Sequence, residues 1–129
     1  MHNFKNLKIW QKALDFTDFV YDYCKGLPAD ERFCLIDQLN RNSCSIPTNI
    51  ADGSGKRTAK HFGEFLTTAL TSSYETETQL LICERRAYGS KEKSQKCLEL
   101  VVELQKMIFS FREYILNGDG PSRFLTLDS

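Results

Sequence analysis

Residues 62–87 read FGEFLTTALTSSYETETQLLICERRA, and their apolar and small side chains recur every three or four positions. That spacing is the period of an α-helix with one buried face, and it continues for about seven turns. Its small residues favour close approach of a neighbouring helix. Thr58, just before the stretch, has a hydroxyl suited to the N-cap. The predicted seam is Phe62, Leu66, Ala69, Ser73, Thr76, Leu80, Cys83 and Ala87.

The helix at residues 62–87 is the third of four that the sequence predicts, and the sequence on either side of it predicts another helix. Downstream, Gly89 and Ser90 are typical of a C-cap followed directly by the N-cap of a fourth helix, which ends near residue 117. Upstream, a second helix is predicted from about Ala29 to about Asp52. Pro47 lies inside that second helix and predicts a kink, because proline removes one backbone hydrogen bond.

A first helix near the N-terminus carries two apolar stripes side by side. Because packing inside one bundle needs only one stripe, this wide apolar arc predicts burial on two sides. Gly26 then predicts a left-handed C-cap, and Pro28 suits the first turn of the next helix. The stripes are Leu7, Trp10, Leu14, Thr17, Tyr21 and Cys24, and beside them Ile9, Ala13, Phe16, Val20, Tyr23 and Leu27.

Four long helices with short connections predict an all-α fold, an antiparallel up-down-up-down four-helix bundle with a Pro-kinked second helix. A chain of 129 residues, of which 41% are hydrophobic, fits a single domain. We assign residues 1–117 to the bundle and expect residues 118–129 to form a flexible C-terminal tail. With no signal-peptide pattern and no long apolar run, we expect a cytoplasmic protein with no membrane partner.

The residues that carry most enzyme chemistry do not form a recognisable set in this sequence. The five cysteines are widely spaced, which argues against a disulfide framework and a zinc site. Di-metal bundles use Glu-x-x-His motifs, whereas His61 and Glu64 stand in the reverse order and alone. No nucleophile, base and metal set converges. We therefore expect a protein that is not an enzyme and that needs no metal or cofactor.

The connection between helices 2 and 3, residues 53–58 with the sequence GSGKRT, is the main basic feature. It is not a P-loop, because position 50 is Ile rather than Gly and the residue after the lysine is Arg57 rather than Ser or Thr. A basic loop before a helix N-terminus nevertheless favours anions. Residues 41–61 carry a net charge of +3 in a chain with no net charge. The candidate nucleic-acid-binding residues are Lys56, Arg57, Lys60 and Arg41; an ordinary solvated helix junction is the alternative.

Polar residues also form a stripe between helices 2 and 3. Helical spacing aligns Arg41, Ser45 and Asn49 on helix 2, while Ser72, Glu75 and Gln79 line helix 3. We predict that Glu75 pairs with Arg41 and that Asn49 satisfies backbone groups freed by Pro47. A structural network that fixes helix register is the favoured interpretation, and a ligand pocket is the alternative.

Several motifs in this order resemble a known family. They are IWQKA at residues 9–13, Leu27-Pro28, Gln38-Leu39 with Arg41, SIPTNIADG at 45–53, Phe62, Phe65-Leu66, Ala69, Ser72 and the run Glu75 to Leu80. This pattern, from about Phe4 to Ile115, is similar to the bacterial four-helix-bundle family encoded in 23S rRNA intervening sequences. Asp52 stands where that family usually has Glu, and Thr71 where Gly is common.

The resemblance implies a four-helix bundle without enzymatic activity, assembled as a homopentamer, with RNA or another nucleic acid as its partner. Five copies of the basic junction would present about fifteen positive charges, enough for a salt-dependent hold on phosphates. We therefore expect an oligomeric bundle that binds structured RNA or DNA through the helix 2/helix 3 junction. The alternative is a homo-oligomeric scaffold or accessory protein that binds a protein partner.

Overall fold

The structure, a computed structural model, describes residues 3–117 and contains four α-helices in that range. The helices are α1 (Lys8–Cys24), α2 (Asp37–Ser54), α3 (Ala59–Arg85) and α4 (Lys91–Asn117). Short 3₁₀ turns cover Phe4–Asn6 and Ala29–Glu31, and a π-helical turn, Arg32–Ile36, leads into α2. No β-strand occurs between residues 3 and 117, so the all-α prediction is confirmed. The prediction of a flexible tail at 118–129 lies outside the described residues.

Each helix packs against the next one along the chain, and α1 also packs against α4. This closed order of neighbours is the one that an up-and-down bundle requires. Pro47 lies inside α2, and the helix continues beyond it to Ser54. The kink at Pro47 and the alternating helix directions stay predictions.

The core lies along the axis between the four helices and follows the predicted seams of α3 and α4. Phe62, Leu66, Ala69, Leu80 and Cys83 are all buried, as expected. The predicted seam residues of α4 are buried as well. They are Cys97, Val101, Leu104, Ile108, Phe111 and Ile115.

Only one of the two apolar stripes on α1 is buried throughout. Ile9, Phe16 and Val20 are fully or almost fully buried. In the other stripe, Leu14 and Tyr21 are exposed to solvent, at 39% and 44% of their surface. Within the single chain α1 is therefore buried on one side and presents an apolar strip to solvent, and burial of its second side stays a prediction.

Within residues 3–117, left-handed backbone occurs in the turn between α3 and α4. Gly26 is not left-handed. Gly89 has φ +69°, in agreement with its predicted C-cap role, and Ser90 caps α4 by accepting a hydrogen bond from the Lys93 amide at 3.2 Å. Ala87 is not in the seam: it lies beyond the end of α3, is exposed, and has φ +56°. Gly26 was expected to be left-handed, but α1 ends through Lys25 in a right-handed conformation.

Replacing Ala87 with Gly should raise the free energy of unfolding by about 1 kcal/mol, because a side chain at positive φ costs about 1–2 kcal/mol and glycine avoids that cost. Replacing Gly89 with Ala should lower stability, since its Cβ would also lie 3.0 Å from Cε1 of the buried Tyr23 ring. Urea unfolding of the two variants checks the opposite signs. A stabilised Gly89→Ala variant would contradict the turn geometry.

No helix within residues 3–117 is both long enough and apolar enough to cross a membrane.

Candidate nucleic-acid interface

The basic junction is a short connection of fixed geometry between α2 and α3. The amides of Gly55 and Lys56 donate to the carbonyls of Asp52 and Gly53, which closes the end of α2. Thr58 then caps α3: its Oγ1 accepts a hydrogen bond from the His61 amide at 3.1 Å, as predicted. The first amides of α3, at the positive end of the helix dipole, therefore follow Lys56 and Arg57 directly, and Lys60 lies in the first turn of the helix.

Lys56, Arg57 and Lys60 are all exposed, and within residues 3–117 none of them forms an ion pair. The Lys56 ammonium lies 4.9 Å from the centre of the half-buried Phe65 ring, a cation–π contact across the junction. This contact orients one cation beside the start of α3 and leaves its charge uncompensated. Sequence spacing did not predict this contact, because it depends on how the loop packs against α3.

Arg41 does not join the basic junction. Its Nε lies 3.3 Å from Oδ2 of Asp37, one turn earlier on α2, and both side chains are largely exposed. Arg41 is also 13 residues from Ser54 at the end of α2, about 20 Å along the helix axis. The candidate interface is therefore the trio Lys56, Arg57 and Lys60, which we call the basic trio.

Part of the predicted polar stripe does come together between α2 and α3. The hydroxyls of Ser45 and Ser72 are 2.8 Å apart. Asn49 donates through Nδ2 to the Ser45 carbonyl at 2.8 Å and to its hydroxyl at 2.9 Å. These three residues connect α2 and α3 at one height along the bundle axis.

Gln79, seven residues after Ser72 on α3, bonds to a different part of α2. Its Oε1 accepts from Asn42 at 3.1 Å, and its Nε2 donates to Gln38 at 3.0 Å. The predicted ion pair between Glu75 and Arg41 is wrong, because Glu75 is exposed and Arg41 pairs with Asp37. The sequence could not give this result, since the register of α2 against α3 decides which side chains meet.

The prediction that Asn49 satisfies the backbone group freed by Pro47 is wrong, because Thr17 on α1 lies at that group. Proline has no N–H, so the carbonyl of Ser43, four residues earlier, lacks its usual helical donor. The buried Thr17 hydroxyl lies 3.1 Å from that carbonyl and 2.9 Å from the carbonyl of Ala13. Thr17, rather than Asn49, therefore brings a donor to the group that Pro47 frees, and the single hydroxyl proton is shared between the Ser43 and Ala13 carbonyls.

The two halves of the polar stripe should differ in their effect on stability. Replacing Gln79 with Ala removes two inter-helix hydrogen bonds and should lower the free energy of unfolding by about 1 kcal/mol. Replacing Glu75 with Ala should change it by less than about 0.5 kcal/mol, because Glu75 is a surface residue. Denaturant unfolding of both variants measures this difference. A larger loss in Glu75→Ala than in Gln79→Ala would contradict the observed register.

No group of three His, Cys, Asp or Glu side chains within the described part of the chain could hold a metal ion. Three thiols, those of Cys24, Cys83 and Cys97, are buried. Burial raises the pKa of Cys24 to about 12 and that of Cys97 to about 11, and it also raises the pKa of Cys83. Because the thiolate is the reactive form, these cysteines are core-filling residues at neutral pH.

The fold and this site define the class: an all-helical bundle of four helices with a charged, exposed connection between its second and third helices. The family model for the 23S rRNA-intervening sequence protein matches residues 5–110, and the chain belongs to that family.

A solved structure has the same fold. It is a protein with unknown function from the S23 ribosomal protein family of Bacteroides thetaiotaomicron, 24% identical, with a TM-score of 0.75. The match covers 81% of this chain and 98% of that one. No curated protein matches this chain.

Proposed function

We propose that this protein is a non-enzymatic homo-oligomer that binds structured RNA or another nucleic acid through the basic trio. The observation that carries the proposal is the placement of Lys56, Arg57 and Lys60, all exposed and without an ion pair in residues 3–117, beside the N-terminus of α3. Phosphates bind where unpaired cations and helix amides point to the same place.

The chemistry of this interface is electrostatic. Contacts to phosphates carry little sequence information, so the trio would set affinity and orientation rather than base specificity. Three cations on one chain give weak binding, and repetition around an oligomer multiplies the phosphate contacts without new chemistry. A pentamer, as the family resemblance implies, would present about fifteen such charges.

The exposed strip on α1 supports the oligomer. Leu14 and Tyr21 are one heptad apart, so they lie on the same side of α1 and extend beyond the core-facing stripe. An exposed apolar strip is one mark of an interface between proteins. Light scattering at micromolar concentration tests it: an oligomeric mass is expected, and a strict monomer would contradict the self-association step.

A scaffold that holds a protein partner is the second candidate, because the same α1 strip fits a protein surface equally well. The two candidates differ in what the basic trio does. Fluorescence anisotropy of a labelled structured RNA, titrated with wild-type protein and with the triple variant K56E/R57E/K60E, separates them. The scaffold predicts no difference between these proteins.

The matched control is K25E/K91E/K106E, which makes the same change in net charge at three exposed lysines outside the junction. We expect this control to keep most of the affinity and the junction variant to lose it. Equal losses in both triple variants would show that net charge alone, and not the basic trio, governs binding.

A further inference from the structure

A cavity of about 520 Å³ lies at the turn between α3 and α4. We call it the turn cavity. Its volume falls within the range of about 300–1,000 Å³ that is typical of small-molecule sites. The basic trio and the α1 strip are not part of its lining. The residues that line it include Glu84 from α3, Tyr88 and Gly89 from the turn, and Lys91, Ser94 and Gln95 from α4.

Hydrogen bonds hold the turn that borders this cavity in one conformation. The Tyr88 amide donates to the Cys83 carbonyl at 3.0 Å, and the Tyr88 carbonyl accepts from the Tyr23 phenol at 2.9 Å. The Tyr88 phenol donates to Glu31 at 3.3 Å, and Gly89 is left-handed, with φ +69°. The cavity is therefore formed before a ligand arrives, which lowers the cost of binding.

Ser94 contributes an unpartnered hydroxyl to the lining of the cavity. The residue is only 1% exposed, and its Oγ has no hydrogen-bond partner within residues 3–117. The Tyr23 phenol lies nearby, but its single proton is donated to the Tyr88 carbonyl, so it has none to give to Ser94. A buried polar group without a partner is destabilising until another molecule supplies one, so Ser94 indicates a bound polar ligand.

Two opposite charges line the cavity from different helices. Glu84 lies in the last turn of α3, and Lys91 is the first residue of α4. Both side chains are exposed, and among the described residues neither of them forms an ion pair. The amides of Lys91 and Glu92, at the positive end of α4, also have no acceptor in that part of the chain. A cavity with one uncompensated anion and one uncompensated cation is complementary to a ligand that carries both charges.

We propose that the turn cavity binds a free α-amino acid. The carboxylate of the ligand lies against the Lys91 ammonium and the first amides of α4, and its ammonium lies against the Glu84 carboxylate. The Ser94 hydroxyl, one turn after Lys91 on α4, donates to the ligand carboxylate and so gains the partner that it lacks. Gln95 can donate to or accept from a polar ligand side chain. This activity goes beyond the proposed function and does not use the basic trio.

Ligand binding to the full 129-residue chain tests this site. Each of the standard amino acids is added singly, a rise in melting temperature identifies the ligands, and isothermal titration calorimetry measures their Kd. We expect saturable binding of at least one amino acid. Its N-acetyl derivative, which lacks the ammonium, and its amide, which lacks the carboxylate, should each bind at least about tenfold more weakly. No binding of any amino acid, or equal binding of the blocked derivatives, would overturn the proposal.

Two charge variants locate the contacts. E84Q should weaken binding of the amino acid about tenfold and leave the N-acetyl derivative unaffected, because that derivative has no ammonium to lose. K91Q should weaken the amino acid and leave the amide unaffected for the corresponding reason. The matched controls E99Q and K106Q each remove one exposed charge elsewhere on α4 and should keep the wild-type Kd. Unchanged affinity in E84Q and K91Q, or equal losses in the controls, would also overturn the proposal.

Ser94→Ala separates ligand binding from stability. Because the hydroxyl has no partner in the ligand-free chain, its removal should leave the urea midpoint of that chain unchanged or higher. The same variant should bind the amino acid at least about fivefold more weakly, since the ligand carboxylate loses one donor. A lower midpoint together with an unchanged Kd would show that Ser94 serves the fold alone and would overturn the proposal. None of these outcomes depends on nucleic-acid binding.

Discussion

Replacing Gly53 with Val should lower the free energy of unfolding by about 3 kcal/mol, the upper part of the range for overpacking a buried site. Gly53 is buried in the last turn of α2, where that helix meets the start of α3. A Cβ at this position would lie 2.8 Å from the Cβ of Phe65 and 2.8 Å from Cδ1 of Phe62. The Cβ of Phe65 is fixed to the backbone, so relief of the clash requires α2 and α3 to move apart.

Gly55, two residues further on, supplies the control. A Cβ there would meet only the Asp52 carbonyl, at an ordinary 3.6 Å, and its backbone is right-handed. Gly55→Val should therefore change stability by less than about 0.5 kcal/mol. Urea unfolding of both variants gives the comparison, and equal losses would show that close approach at Gly53 does not hold the junction together.

Replacing Thr17 with Val should cost about 1–3 kcal/mol, because the buried Ser43 carbonyl would lose the hydroxyl donor that replaces the missing amide of Pro47. The substitution keeps the shape of the side chain and removes only the hydrogen bond. Thr76→Val is the matched control: Thr76 is also buried, but its hydroxyl donates to the Ser72 carbonyl within an uninterrupted helix. Its expected cost is below about 1 kcal/mol, since the Ser72 carbonyl keeps its helical donor.

A double-mutant cycle tests the cause of that loss. Pro47→Ala restores an amide four residues after Ser43, so the cost of Thr17→Val should fall in the Pro47→Ala background to that of Thr76→Val. Thermal and urea unfolding of the four proteins measure the coupling energy. The same cost in both backgrounds would mean that Thr17 stabilises α1 in some other way.

Local sequence patterns predicted the elements and caps of this fold because those depend on residues close together in the chain. Thr58 and Ser90 cap their helices as their residue types suggest, and Phe62 and Leu80 lie on the predicted seam. Gly26 shows the limit of this reasoning, since glycine permits a left-handed cap without requiring one.

Contacts between helices were harder to predict, because they depend on register and rotation that no single segment encodes. The sequence aligned Arg41 with Glu75, but Asp37 lies on the same helix one turn away and takes the arginine. Thr17 and Ser43 are 26 residues apart, and only the packing of α1 on α2 brings them together. Of the candidate site, the basic trio kept its place because its residues are neighbours in the chain.

The salt dependence of RNA binding shows whether the basic trio contacts phosphates. The association constant of a labelled structured RNA is measured by anisotropy from low to physiological salt, for wild-type protein and for K56E/R57E/K60E. Each phosphate contact contributes about 0.7–0.9 to the slope of log K against log salt. We expect tight binding at low salt, with a slope that falls in magnitude by at least about 2 in the variant because three phosphate contacts are lost. Equal slopes and affinities for the two proteins, or no binding even at low salt, would contradict it.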